Sequence, residues 1–179
     1  AAKFSAVLTN GSPTILDRFV EDLSHKEICG SRSDPDRRYN EDGRRVLLGK
    51  GEGVWKRAQA AIQGWKMFNV HNSGLHRTDT PIEPGKTVAL ITYFGGLWLK
   101  MACRIETVIH ASGDLERYGF QYATLPVHIA RGEESFVVEW RQSDETVWFE
   151  IKARSRLRFW WSYPAYPLIR YLQSKFRRQ

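Results

Sequence analysis

GFQYATLPVHIARGEESF, residues 119–136, is the stretch on which the reading of the fold turns. Runs of β-type residues flank it, and Pro126 and Gly132 punctuate its middle, so it is expected to run strand, loop, strand. It is dense in groups that do chemistry or hold a ligand: Tyr122, Thr124, His128, Arg131, Glu133 and Glu134. The expected loop holds a histidine and two carboxylates, a set able to move protons.

Working outward, residues 135–141 and 146–154 read as strands joined by a polar turn at 142–145. Val147, Phe149, Ile151 and Ala153 share one face, and Trp148, Glu150, Lys152 and Arg154 the other. Upstream, residues 97–108 alternate in the same way, with Leu97, Leu99, Met101, Cys103 and Ile105 on one side. Residues 87–94 are β-rich, and Gly95-Gly96 fits a tight connection. The middle of the chain is therefore expected to be an antiparallel meander of roughly five strands.

Helices are expected on either side of the meander. Ser12-Pro13 fits a helix start, with Ile15, Leu16, Phe19, Val20 and Leu23 buried before Ser24. Residues 54–68 place Trp55, Ala58, Ala61, Ile62, Trp65 and Phe68 on one helical face. Residues 159–176 carry a third stripe, Ala165, Leu168, Ile169, Leu172 and Phe176. Residues 3–9 suit an edge strand, 27–43 a polar loop, and 44–51 a turn from strand to helix. The expectation is one α+β domain over residues 1–179, a curved antiparallel sheet with packing helices that could grip the last one and leave a cavity. Residues 1–40 form its N-terminal helix and loop, and 155–179 its basic, aromatic end.

The net charge is +7, and it is uneven. No acidic residue follows Glu150, whereas Lys152, Arg154, Arg156, Arg158, Arg170, Lys175, Arg177 and Arg178 do. Such asymmetry implies an anionic neighbour. Arginines interleaved with aromatics suit a membrane surface, with Arg156, Arg158, Arg170 and Arg177 at phosphates and Trp160, Trp161, Tyr163 and Tyr166 at headgroup depth. No nucleic-acid motif accompanies the basic residues, so nucleic acid is not an expected partner.

Cys29 and Cys103 lie far apart with no zinc spacing, and are expected to be buried thiols. The GKGEG segment lacks the lysine-hydroxyl ending of a phosphate loop, and the acidic cluster before Gly43 lacks calcium-loop spacing. His71 and His76 are expected to be solvated loop residues. No metal or cofactor is expected. No run of about 18 apolar residues occurs. Ala1 in place of Met is expected either from a start inside a longer chain or from a removed targeting segment.

The 119–136 stretch resembles the core signature of the family called domain of unknown function 1990, or UPF0548, with its Gly-Phe-x-Tyr, Thr-Leu-Pro, His and Gly-Glu-Glu-x-Phe elements. The resemblance continues from Val147 to Arg156, in Pro167, Arg170 and Gln173, and in the 55–68 helix with Pro84-Gly85 beyond it. It covers most of the chain after about Tyr39. Ala123 and Val127 replace usual glycines, and Ile129 a common proline. If those glycines admit a ligand or backbone closely, this chain obstructs the approach. The resemblance implies little chemistry. Its plant branch is associated with the chloroplast outer envelope, with a proposed channel role, which implies a plastid location. A likeness to the lipid-binding helix-grip superfamily is an analogy of fold.

Two functions follow as expectations. The first is a non-catalytic binding or accessory module, soluble or peripheral, at a membrane surface or in a membrane-bound assembly. The second is a carrier of, or enzyme on, a small apolar molecule in a sheet–helix cavity. His128, Glu133 and Glu134 are its candidate acid–base groups. The candidate ligand or loop site is Tyr122, Thr124, His128, Arg131, Glu133, Glu134 and Arg154. The alternative for His128 and the glutamates is that they tie the loop down by hydrogen bonds.

Overall fold

A computed structural model of the chain describes residues 13–29, 39–69, 73–94, 97–128 and 130–157. Helix α1 spans Pro13–Ser24 and is followed by strand β1, Asn40–Lys50. Helix α2 spans Glu52–Gln63, and a single 3₁₀ turn follows at Lys66–Phe68. Strands β2 (Ser73–His76), β3 (Thr87–Phe94) and β4 (Leu97–Ala111) come next. Strands β5 (Leu115–Thr124), β6 (Ala130–Arg141) and β7 (Thr146–Leu157) complete the order.

The seven strands form one antiparallel sheet in the order β1-β7-β6-β5-β4-β3-β2, curled into a half-barrel. Chirality gives every sheet a twist, and β-bulges add local bending. One bulge is at Glu106, where the β4–β5 register passes from Ile105↔Tyr122 to Thr107↔Gln121. The extra residue resets the alternation, so Val108 joins Cys103 and Ile105 in facing the inner core.

α2 forms because its apolar residues recur at helical spacing. Trp55, Ala58 and Ile62 are buried, Glu52 favours the first turn, and Gly64 follows the last residue. This buried stripe, with Trp65 and Phe68, covers the inner sheet face presented by Phe120, Phe136, Val138, Val147 and Ile151. Trp65 holds a left-handed backbone at φ 54°, and its indole N–H donates to the Thr80 carbonyl at 2.8 Å. α1 packs on the outer face of β3 and β4, where Leu23 meets Ala102 and Leu125. The Arg104 guanidinium crosses to it and donates to the Leu23 and Ser24 carbonyls at 2.8 and 2.6 Å. A cation here neutralises the negative end of the helix.

The α+β class and the curled antiparallel sheet match the reading of the sequence, and several boundaries differ. The expected five-strand meander is β3–β7, and among the described residues two further strands extend it: β1 crosses the chain to pair with β7, and β2 joins β3. β1 begins at Asn40, so 40–43 is strand rather than loop. The expected 54–68 helix stops at Gln63, where Gly64 and the left-handed Trp65 interrupt it. β6 begins at Ala130 rather than 135, which removes Glu133 and Glu134 from the loop. His76 lies in β2 and is not solvated: its Nε2 is 3.0 Å from Asp17 Oδ1, tying β2 to α1. His71, the expected strand at 3–9 and the expected helix at 159–176 lie outside the described residues.

Candidate functional site

The signature stretch folds as the end of β5, a turn from Leu125 to His128, and the start of β6. Two glycines let β6 approach its neighbours. A Cβ on Gly119 would lie 2.1 Å from the Phe136 carbonyl oxygen, and one on Gly132 would lie 2.0 Å from that of Arg154. Gly132 also holds φ at +150°. The glycines of the signature are therefore demanded by the contact between strands.

Tyr122 and Glu134 are cross-strand partners on β5 and β6. The Tyr122 hydroxyl donates to Glu134 Oε2 at 2.6 Å. Side chains alternate along a strand, so Glu134 shares the inner face with Phe136 and Val138. Tyr122 is 4% exposed and Glu134 is half-buried, which puts the carboxylate at the margin of an aromatic cluster. Phe68 stacks on Tyr122 with centroids 6.2 Å apart, and Phe136 lies at 5.7 Å. Burial, and then the charge of Glu134, hold the Tyr122 phenol well above its ordinary pKa. The same two causes in the same order raise the Cys103 thiol. Both groups stay protonated at neutral pH, so Cys103 is no nucleophile there.

The other candidates divide between the two faces. Glu133, one residue from Glu134, points to the outer face, where it stands opposite Arg154 in the register. The two glutamates therefore do not act on one bound group. Arg154 also meets Glu41 at 3.4 Å and stacks on the Tyr39 ring at 5.3 Å, while Arg156 lies on that ring at 5.5 Å. Thr124 is a tie between segments: its hydroxyl donates to the Cys29 carbonyl and accepts from the Gly132 N–H. The Arg131 guanidinium is 4.0 Å from the Cys29 sulfur. Both cysteines are buried thiols.

His128 secures the turn. Its Nδ1 accepts the Ala130 N–H at 3.1 Å, and the ring bonds to neither glutamate. Loss of hydration lowers its pKa to about 4; the Ala130 carbonyl, to which Nδ1 could donate only in the protonated ring, pulls the other way and is outweighed. A neutral imidazole accepting a backbone N–H fits the loop-tying alternative. Ala123 is fully buried and lies on the face opposite Tyr122, while Val127 is exposed in the turn. Neither lies at the inner-face pair of Tyr122 and Glu134. Arg158, Trp160, Trp161, Tyr163, Tyr166, Arg170 and Arg177 lie outside the described residues.

Two polar features were not singled out in the sequence. Glu139 is a buried carboxylate on the outer face, gripped by Arg45 at 2.6 Å and Arg117 at 2.8 Å. The indole N–H of Trp140, on the inner face beside Trp55, is buried without a hydrogen-bond partner. Alternation from Glu134 predicts the inward face of Trp140, and only the register brings Arg45 to Glu139. Among the described residues, no three His, Cys, Asp or Glu side chains are placed to hold a metal, and no helix is long and apolar enough to cross a membrane.

The chain is 30% identical over 182 aligned positions to a UPF0548 protein of Dictyostelium discoideum, covering 90% of this chain and 83% of the relative. It is 36% identical to a UPF0548 protein of Deinococcus radiodurans, covering 70% and 66%, and 28% identical to one of Arabidopsis thaliana, covering 75% and 66%. Among solved structures, Ara h 8.0201 aligns with a TM-score of 0.48 at 11% identity, covering 78% of this chain and 93% of that one. A hypothetical protein from Helicobacter pylori aligns at 0.45 and 10% identity, covering 68% and 73%. A family model described as "Domain of unknown function (DUF1990)" matches residues 24–179, and the chain belongs to that family.

Proposed function

We propose that the chain is a non-catalytic binding module that carries a small apolar molecule at the margin of the inner face of its sheet, beside Tyr122 and Glu134. The ligand's polar end is a hydrogen-bond donor, a hydroxyl or an ammonium, received by Glu134. The observation that carries this is the half-buried Glu134 carboxylate, oriented by the Tyr122 hydroxyl at 2.6 Å beside an aromatic cluster. A carboxylate in such surroundings costs solvation that a packed apolar residue would avoid. Binding a donor offsets that cost. Ligand sites combine an apolar lining with a few placed polar groups in this way. A protonated Cys103 and a neutral His128 bonded to backbone argue for binding over turnover.

Native mass spectrometry of the protein purified gently from its source tests this reading. A bound organic molecule bearing a hydroxyl or amine supports it. Glu134→Gln then separates the two heads, because an ammonium is lost and a hydroxyl is retained. An empty protein after gentle purification removes the reading.

A second reading places the module at an anionic membrane surface or within a membrane-bound assembly. It is favoured by the charge asymmetry: no acidic side chain follows Glu150, while arginines and aromatics alternate to the end. Vesicle co-sedimentation tests it. Binding that requires phosphatidylserine and weakens with salt supports it, and equal binding to neutral vesicles sinks it.

A further inference from the structure

Arg131 and Arg156 stand directly opposite each other in the β6–β7 register, on the outer face, and both are half-buried. Like charges in direct cross-strand opposition destabilise a sheet, and the effect grows as water is withdrawn. The next row on the same face is complementary. There Arg154 stands between Glu133 on β6 and Glu41 on β1, with Glu41 at 3.4 Å. One row further, Lys152 is matched by Glu150 at 2.8 Å. Over these rows four cations face three carboxylates, and the register leaves the excess at the Arg131–Arg156 row. Lys26 and Glu27, which lead to Cys29 beside Arg131, cancel each other.

Tyr39 supplies an independent observation at the same place. Its ring carries the Arg154 and Arg156 guanidinium groups at 5.3 and 5.5 Å. Its hydroxyl is buried without a hydrogen-bond partner. A buried donor in that state is costly and calls for an acceptor. A guanidinium held over an aromatic face keeps its N–H fork in the plane, which is the geometry that meets the oxygens of an oxyanion.

We propose that this corner of the outer face is an oxyanion site that takes a phosphate group, with Arg131 and Arg156 as its forks and the Tyr39 hydroxyl as a third donor. Phosphate suits it better than a carboxylate, because it offers three acceptor oxygens and close to two negative charges to a pair of opposed cations. Arg154, already set between two carboxylates, forms the wall of the site. The site lies on the face opposite Glu134 and does not depend on the carrier reading.

The test uses the full chain in inorganic phosphate and in chloride of equal ionic strength, read by thermal denaturation and by titration calorimetry. Phosphate is expected to raise the thermal transition by about 2–4 °C over chloride. Tyr39→Phe keeps the ring against the arginines and is expected to weaken phosphate affinity by about tenfold. Arg131→Gln with Arg156→Gln removes the opposed charges. In chloride it is expected to unfold at or above the wild-type temperature, and phosphate is expected to shift it no further than chloride does. A wild type that phosphate stabilises no more than chloride overturns the inference, as does a phosphate shift that survives the double glutamine variant. A Tyr39→Phe affinity equal to wild type overturns it too. A double glutamine variant that loses stability in chloride would show that groups of the chain itself already match the two arginines, and the inference falls. Glycerol 3-phosphate separates two sources of the group: tighter binding than inorganic phosphate assigns the site to a phosphorylated small molecule, and equal binding assigns it to free phosphate.

Discussion

The Tyr122 hydroxyl donates to Glu134 Oε2 at 2.6 Å across the β5–β6 pair, joining the aromatic core to a charge. Tyr122→Phe removes the donor and leaves the half-buried carboxylate with one hydrogen bond fewer. The expected loss is about 1–3 kcal/mol in urea unfolding. Glu134→Gln keeps an acceptor for the phenol and is expected to cost less than Tyr122→Phe. A larger loss for Glu134→Gln would mean that the charge, and not the hydrogen bond, is what the fold uses.

Gly119 and Gly132 are predicted to tolerate no side chain. Each alanine would bring Cβ to about 2 Å from a backbone oxygen of the next strand, and backbone there cannot yield without separating β6 from its neighbours. Gly119→Ala and Gly132→Ala are expected to lose more than about 3 kcal/mol, read by thermal denaturation. Gly53→Ala is the control. It lies in the first turn of α2 with only the far end of Arg57 within 4 Å, and it is expected to be neutral or stabilising by up to about 1 kcal/mol.

His128 makes stability depend on pH. Its pKa in the folded protein is about 4, below the ordinary value near 6.5. Between these values the unfolded chain binds the extra proton, so stability rises with pH through the window and is lost on acidification from about 6.5 towards 4. The full effect is about 3 kcal/mol. His128→Asn offers an oxygen to the Ala130 N–H and carries no titrating ring, so it is expected to flatten that part of the stability profile. An unchanged profile would assign the acid sensitivity to other groups.

Glu139 is expected to behave as a buried charge held by two cations. Arg45→Met with Arg117→Met strands the carboxylate and is expected to cost about 3–5 kcal/mol in chemical denaturation. Glu139→Gln leaves two arginines that are each more than a third exposed and able to reach water, so its cost is smaller. The reverse ranking would show that the Glu139 carboxylate does not depend on these two cations.

Much of this architecture was legible in the residue pattern, because local periodicity is a local property. The 147/149/151/153 alternation gave the inner face of β7, and the spacing of Trp55, Ala58 and Ile62 gave the buried side of α2. Boundaries failed where polar residues sit in strands. Asn40 to Gly43 and Glu133-Glu134 read as loop, yet they are paired, because the backbone ladder is indifferent to side-chain polarity on a solvated face or margin.

The site shows the same division. By itself, the sequence determined the family signature, the sheet's alternating faces and the concentration of chemistry between residues 119 and 136. Tertiary structure decided which of those groups meet. Alternation places Glu133 and Glu134 on opposite faces as soon as β6 is known to begin at Ala130, and the β5–β6 register then selects Tyr122 as the partner of Glu134. The β1–β7 pairing brings together residues roughly a hundred positions apart, setting Arg45 on Glu139 and lifting Leu48 out of the ladder. No local pattern encodes such contacts, since long-range register is fixed by the best fit of whole faces and not by any one stretch.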